Sequence, residues 1–144
     1  MREYWGRPEA TAEAFRGGWF HSGDLVREDP DGFYYVVDRA KDMIISGGEN
    51  VYSAEVEEVL AAHPGVADVA VVGVPDPRWG ETPLAVVVPA DPAAPPDLDT
   101  LTAWCADRLA RYKQPSRLAL VEALPRNPSG KVLKTELRRL HGSV

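Results

Sequence analysis

An α+β fold is predicted for this chain: a small mixed sheet with helices packed on it, preceded by a β-hairpin. Three observations predict it. Val66 to Val74 is a nearly continuous apolar run, the pattern of a central strand. Ser53 to His63 and Leu98 to Tyr112 carry apolar residues at helical spacing. Strand and helix patterns alternate as hairpin, then α-β-β-α-β-α, which is the order of a sheet that carries helices.

Each element has a local reason. Pro8 to Phe15 is a short helix with proline near its start, ended by Gly17-Gly18. Phe33 to Val37 is aromatic and β-branched, as a strand should be. Asp29-Pro30-Asp31-Gly32 is a turn in front of it, so Leu25-Val26 can pair back as a hairpin. Met43 to Ser46 is a second short strand, stopped by Gly47-Gly48. Ser53 is placed to cap a helix whose buried stripe is Val56, Val59, Leu60 and His63, with Glu55, Glu57 and Glu58 in its first turns. His63-Pro64-Gly65 ends it. Pro75 to Glu81 is a turn, Pro83 to Pro89 a strand, and the Pro/Ala tract Ala90 to Asp97 an exposed loop. Leu98, Leu101, Trp104, Cys105, Leu109 and Tyr112 mark an amphipathic helix. Arg117 to Leu124 is the third main strand, followed by a turn and a short helix from Thr135 to Leu140.

Composition excludes several function classes. A net charge of -6 argues against a nucleic-acid binder, although the last third is rich in cations. No apolar run approaches the ~20 residues of a membrane span, so no transmembrane segment is expected. Met1 to Gly6 has no apolar core of a secretory signal, and the one cysteine, Cys105, cannot form an internal disulfide; both fit a cytoplasmic protein. Cys105 sits beside Trp104 in an apolar helical pattern and is expected to be core. His21, His63 and His141 lack ligand spacing, so no metal site is expected.

Three stretches carry polar chemistry. Pro125-Arg126-Asn127-Pro128-Ser129-Gly130-Lys131 puts a lysine on a turn preshaped by proline and glycine, suited to a carboxylate or a phosphate. It is no Walker loop, because Pro125 stands at the first glycine position and Val132 follows the lysine. Gly23-Asp24 is either an ordinary turn aspartate or a carboxylate that accepts two ribose hydroxyls, and Arg39 either a surface ion pair or a ribose or phosphate contact. Ser46-Gly47-Gly48-Glu49-Asn50 is either a plain loop or a side-chain-free wall along which a narrow ligand arm passes. Asp38-Arg39-Ala40-Lys41-Asp42 is either a solvated turn or a hinge between two bodies.

In their joint order these stretches resemble the C-terminal portion of the acyl-adenylate-forming enzymes: acyl-CoA synthetases, peptide-synthetase adenylation domains and luciferases. Gly18-Trp19-Phe20-His21-Ser22-Gly23-Asp24 looks like the end of the large N-terminal domain. Asp38 to Ile44, Glu55-Val56-Glu57, Gly73-Val74-Pro75-Asp76, Arg111-Tyr112-Lys113-Gln114-Pro115 and the Lys131 turn look like the hinge and lid. The resemblance implies residues 1–38 as the tail of the N-terminal adenylation domain and 39–144 as a mobile lid. It implies Lys131 as the catalytic lysine of adenylation, Asp24 and Arg39 at the ribose of ATP, Lys41 as the hinge, and Gly47, Gly48 and Glu49 along the path of CoA. ATP, Mg²⁺ and CoA are then expected to act through a complete enzyme, with a carboxylic acid as substrate. Ser22 stands where many members carry threonine, and the family's phosphate loop does not occur here. The chain is therefore expected to be a C-terminal piece of an acid:CoA ligase, most like those for fatty or aryl acids, and inactive alone. The rivals are the lid of a carrier-protein-loading adenylation domain and a stand-alone module that binds CoA or a partner half.

Overall fold

Pro8 opens the first helix, α1 (Pro8–Ala14), where its fixed φ suits a helix start and its missing N–H has no partner to lose. Two strands follow, β1 (Asp24–Glu28) and β2 (Tyr34–Arg39), paired antiparallel with a register shift after Leu25. Their turn is organised by Asp29, whose Oδ1 accepts from the amides of Asp31 and Phe33. The predicted hairpin is thus present. The computed structural model describes residues 1–142, which form two compact units, Met1–Lys41 and the chain from Asp42 onward.

The second unit is built on one sheet. Its strands are β3 (Ile44–Ser46), β4 (Glu49–Val51), β5 (Val66–Asp76), β6 (Gly80–Pro89) and β7 (Arg117–Leu120). The helices are α2 (Ser53–Ala61), α3 (Leu98–Cys105) and α4 (Lys134–His141). The sheet order is β4-β3-β6-β5, and β7 pairs parallel to β6, so the sheet is mixed as expected. Alternate residues of β5 and β6 point to opposite faces. Val71, Ala85 and Val87 meet Val56 and Leu60 of α2 and Leu101 and Cys105 of α3. Ala70, Val72, Val74, Leu84 and Val86 meet Leu137 of α4 and Leu124.

Several elements depart from the sequence reading. The run from Val66 to Val74 is not central. Among the described strands β5 pairs only with β6 and lies at the sheet edge. Its apolar continuity reflects helices on both faces, not neighbours on both sides. Part of its free edge is served by a side chain: Glu57 Oε1 accepts from the Val71 amide at 2.7 Å.

Ser53 is the first helical residue and not the cap. Tyr52 holds the N-cap position, and the Ser53 hydroxyl accepts from Lys134 Nζ at 2.7 Å. The helix from Leu98 stops at Cys105, well short of Tyr112. Leu109 still reaches the same core through a turn, and a 3₁₀ turn at Arg111–Lys113 follows. There Lys113 bonds both oxygens of Glu55, at 2.7 and 2.8 Å, a long-range tie invisible to helical periodicity. The third main strand is also shorter than expected, ending at Leu120.

Ser46 to Asn50 is not a loop. It is a hairpin with Ser46 opposite Glu49 and Gly47-Gly48 as its two-residue turn. Both glycines have positive φ, 61° and 87°, the requirement of a type I′ turn.

Candidate functional site

Among the described residues a cleft in each unit and an exposed lysine loop carry the candidate site residues. The first cleft lies wholly in the N-terminal unit. Asp24 begins β1 and Arg39 ends β2, and the two are directly opposite in the register. Gly23 holds this end of the hairpin closed, its carbonyl accepting from the Ala40 amide at 2.8 Å. Ser22, Gly23, Asp24, Arg39, Ala40 and Lys41 line an open cleft of about 440 Å³. An exposed carboxylate and a guanidinium at its mouth can accept from and donate to one polyhydroxyl group.

The second cleft, of about 770 Å³, belongs to the unit from Asp42 onward. One wall is the β3–β4 hairpin, through Ser46, Gly47 and Glu49; Gly48 is not among the lining residues. The opposite wall is the β5–β6 turn, through Arg78 and Trp79, and Arg111 and Tyr112 complete it. Asp76 builds that turn by accepting from the amides of Arg78 and Trp79, each at 2.9 Å. These bonds, that from Trp79 foremost, hold its carboxyl below the usual carboxylate range. The guanidinium of Arg78 lies 4.4 Å from the centroid of the Trp79 ring. Gly47 donates its amide to the Trp79 carbonyl at 2.9 Å, so this N–H is taken and not offered to a ligand. A β-carbon on Gly47 would stand 2.8 Å from the indole ring. The glycine therefore keeps the groove narrow by letting tryptophan close over it. Two cations and two aromatic faces around such a groove suit a ligand with both phosphates and a ring.

Lys131 lines neither cleft. It is exposed on a loop pinned where Arg126 and Val132 form an isolated bridge. Asn127 organises that loop: its Oδ1 accepts from the amides of Ser129 and Lys131 and from the Ser129 hydroxyl. Gly130, at φ 80°, makes the tight return, a conformation L-residues rarely adopt. Three residues on, Lys134 is a structural cation that pairs with Glu57 at 2.7 Å.

So the structure gathers Asp24, Arg39 and Lys41 in one cleft and Gly47 and Glu49 in another, and Lys131 is among the lining residues of neither. Sequence reasoning did not single out Arg78, Trp79, Arg111 or Tyr112 as site residues. The available signal was the recurrence of an arginine beside an aromatic in two polar connecting segments. Cys105 is fully buried, as expected, and burial pushes its thiol up, which suits a core residue and not a nucleophile.

The described residues form a small α+β unit on a mixed sheet, preceded by a hairpin unit, with a polar cleft in each. Residues 55–131 match the AMP-binding enzyme C-terminal domain, and the chain belongs to that family. It is 60% identical over 142 residues to a feruloyl-CoA synthase of Amycolatopsis sp., covering 99% of this chain and 29% of the relative. It is 52% identical over 144 residues to the long-chain-fatty-acid–CoA ligase FadD13 of Mycobacterium tuberculosis, covering 100% and 28%. Among solved structures it is similar to the o-succinylbenzoate CoA synthetase MenE of Bacillus subtilis in complex with its acyl-adenylate intermediate, OSB-AMP. That match has a TM-score of 0.87 and 45% identity, over 96% of this chain and 28% of the other. The chain thus corresponds to the C-terminal part of acid:CoA ligases and spans less than a third of their length.

Proposed function

We propose that this chain works as the mobile C-terminal part of an ATP-dependent acid:CoA ligase, which converts a carboxylic acid to its acyl-adenylate and then to its CoA thioester. The observation that carries the reading is the partition of the site residues. The ribose-type pair Asp24 and Arg39 lies in one folded unit; Lys131 and the glycine-walled cleft lie in the other; the border between units falls at Lys41 and Asp42. A catalyst that needs both sets in turn needs them to move relative to each other, and a few residues at an element's end suffice as a hinge.

In the first half-reaction the Asp24 carboxylate accepts the ribose hydroxyls of ATP and Arg39 assists there. The Lys131 ammonium stands between the acid's carboxylate and the α-phosphate. Its charge offsets the repulsion of two anions brought into line and stabilises the charge that builds as they react. In the second, rotation about Lys41 withdraws Lys131 and brings the cleft of Gly47 and Glu49 to the adenylate, with the arm of CoA running along the glycine wall past Gly48. Arg78 and Arg111 would take the phosphates of CoA, and Trp79 and Tyr112 its apolar and ring surfaces. Mg²⁺ would be held chiefly by the substrate phosphates within the complete ligase. The large N-terminal adenylation domain, which would hold ATP and the acid, is the required partner. No helix among the described residues is long and apolar enough to cross a membrane.

The Arg78 and Arg111 guanidiniums favour free CoA over a carrier protein, whose pantetheine arm lacks the nucleotide. The second cleft is built entirely from this chain, which favours one further reading: a module that binds CoA and serves a separate adenylating half. The deciding experiment is Lys131→Ala in the complete ligase. Acyl-adenylate formation should fall at least ~100-fold, the scale of losing one preorganised charge contact, while thioester formation from supplied acyl-adenylate is retained. Equal loss of both steps would remove Lys131 from the adenylation role.

A further inference from the structure

Besides the apolar packing of Leu124 and Val132, the loop that carries Lys131 is tied to the sheet by a polar clamp. Arg126 donates from Nη1 to the Gly130 carbonyl at 2.7 Å and from Nη2 to Asp68 Oδ2 at 2.6 Å. Gly130 directly precedes Lys131, so a single guanidinium joins the peptide in front of the lysine to strand β5. The other end of the clamp is also prepared. The pairing of β5 with β6 shifts register between Val66 and Asp68, which leaves Ala67 as an extra residue. Such a bulge re-aims the side chain that follows it. Asp68 is further held by its own Oδ1, which accepts from the Val69 amide at 3.0 Å.

We infer that Arg126, with Asp68 as its anchor, is a positioning residue for Lys131. The inference rests on the adenylation role proposed above for that lysine. The pair is too exposed, at 43% and 39% for its side chains, to matter much to global stability. Its value is local. Planar and forked, arginine reaches the carbonyl and the carboxylate from two separate nitrogens held in a fixed geometry, whereas lysine has a single ammonium nitrogen on a flexible stem. Within the loop Asn127 sets the turn's shape, and Arg126 sets where the turn stands on the sheet. A reacting geometry displaced by about 1 Å costs on the order of 100-fold in rate, so an exposed clamp of small stabilising effect can still control kcat.

The test uses a complete ligase carrying this segment, measuring each half-reaction and thermal stability for Arg126→Gln, Arg126→Lys, Asp68→Asn and the double variant Arg126→Gln/Asp68→Asn. The expected result is a ~10- to 100-fold fall in kcat for adenylation with Arg126→Gln. KM for ATP, the thioester step and Tm should stay near the parent values. Arg126→Lys should recover only part of the loss, and the double variant should be no worse than Arg126→Gln, because both changes cut one clamp. Hydrogen exchange on the 144-residue chain should show the Lys131 amide less protected in Arg126→Gln. Adenylation at the parent rate in Arg126→Gln would overturn the inference, as would equal loss of both half-reactions or full rescue by lysine. If Lys131→Ala itself adenylates normally, the fault lies in the underlying role of Lys131, and the inference falls with it.

Discussion

Gly47 shows how one residue is chosen by its neighbour and its backbone together. Its φ of 61° is unfavourable for any side chain, and an added β-carbon would stand 2.8 Å from the Trp79 ring. The left-handed conformation alone costs a residue with a β-carbon roughly 1–2 kcal/mol. Trp79 is 46% exposed and can swing outward, so the backbone term should set most of the loss. Gly47→Ala is therefore expected to destabilise the chain by about 1–2 kcal/mol in urea unfolding. In the complete ligase it should also impair the thioester step more than adenylation, since the indole that lines the proposed CoA groove is displaced. Gly48 has nothing within 4 Å of an added β-carbon, so its requirement is backbone conformation and not space.

Among the elements, α4 is the one that brackets the Lys131 loop. It is fastened by Leu137 to one sheet face, by Lys134 to Ser53 and Glu57 of α2, and by Arg138 to Asp42 at 3.0 Å. Leu137 is 1% exposed, and its removal leaves a cavity against β5. Leu137→Ala should cost about 2–5 kcal/mol, measured by denaturant titration, and it should loosen the lysine loop as α4 detaches. The 3₁₀ turn at Arg111–Lys113 is held by the Lys113–Glu55 pair. Its hydrogen bond to Glu55 raises the Lys113 pKa above 10.5. A raised folded pKa means that the stabilisation is complete below the unfolded value and is lost as pH climbs through the folded one. Stability of the parent chain should thus decline above about pH 10.4 more steeply than that of Glu55→Gln. Denaturant midpoints followed from pH 8 upward check this, and superimposable curves would exclude the pair as a contributor.

The whole molecule divides into two compact units between Lys41 and Asp42, the border where the hinge is proposed. Asp42 is buried and paired, while Lys41 is exposed and lines the first cleft, so the side chains change environment across one peptide bond. Lys41→Pro locks φ at that position. In the complete ligase it should leave one half-reaction near the parent rate and depress the other. An unimpaired overall rate would place the rotation elsewhere. The N-terminal unit also exposes Trp19, Phe33, Tyr34 and Val36, each more than half accessible.

The motifs were legible because their information is local. Proline and glycine dictate backbone angles wherever they stand, so the turn at Asp29–Gly32 and the lysine loop could be placed from residue order, and Gly47-Gly48 as the stop of β3. The apolar pattern likewise revealed a sheet bearing helices. Position within that sheet was not legible. An apolar strand reads the same whether neighbours flank it or helices cover it, so β5 reads as central although it lies at the edge. Ser53 has the chemistry of a cap, yet a lysine 81 positions away claims its hydroxyl. The helix after Leu98 ends at Cys105, and Lys113, on a separate 3₁₀ turn, reaches Glu55, 58 positions back. The second cleft, with Arg78, Trp79, Arg111 and Tyr112 brought beside Gly47, and the clamp from Asp68 to Arg126 both exist only once distant segments pack. Local backbone preference is written in neighbouring residues; pairing between residues tens of positions apart is settled by packing and by the charges that packing brings within reach.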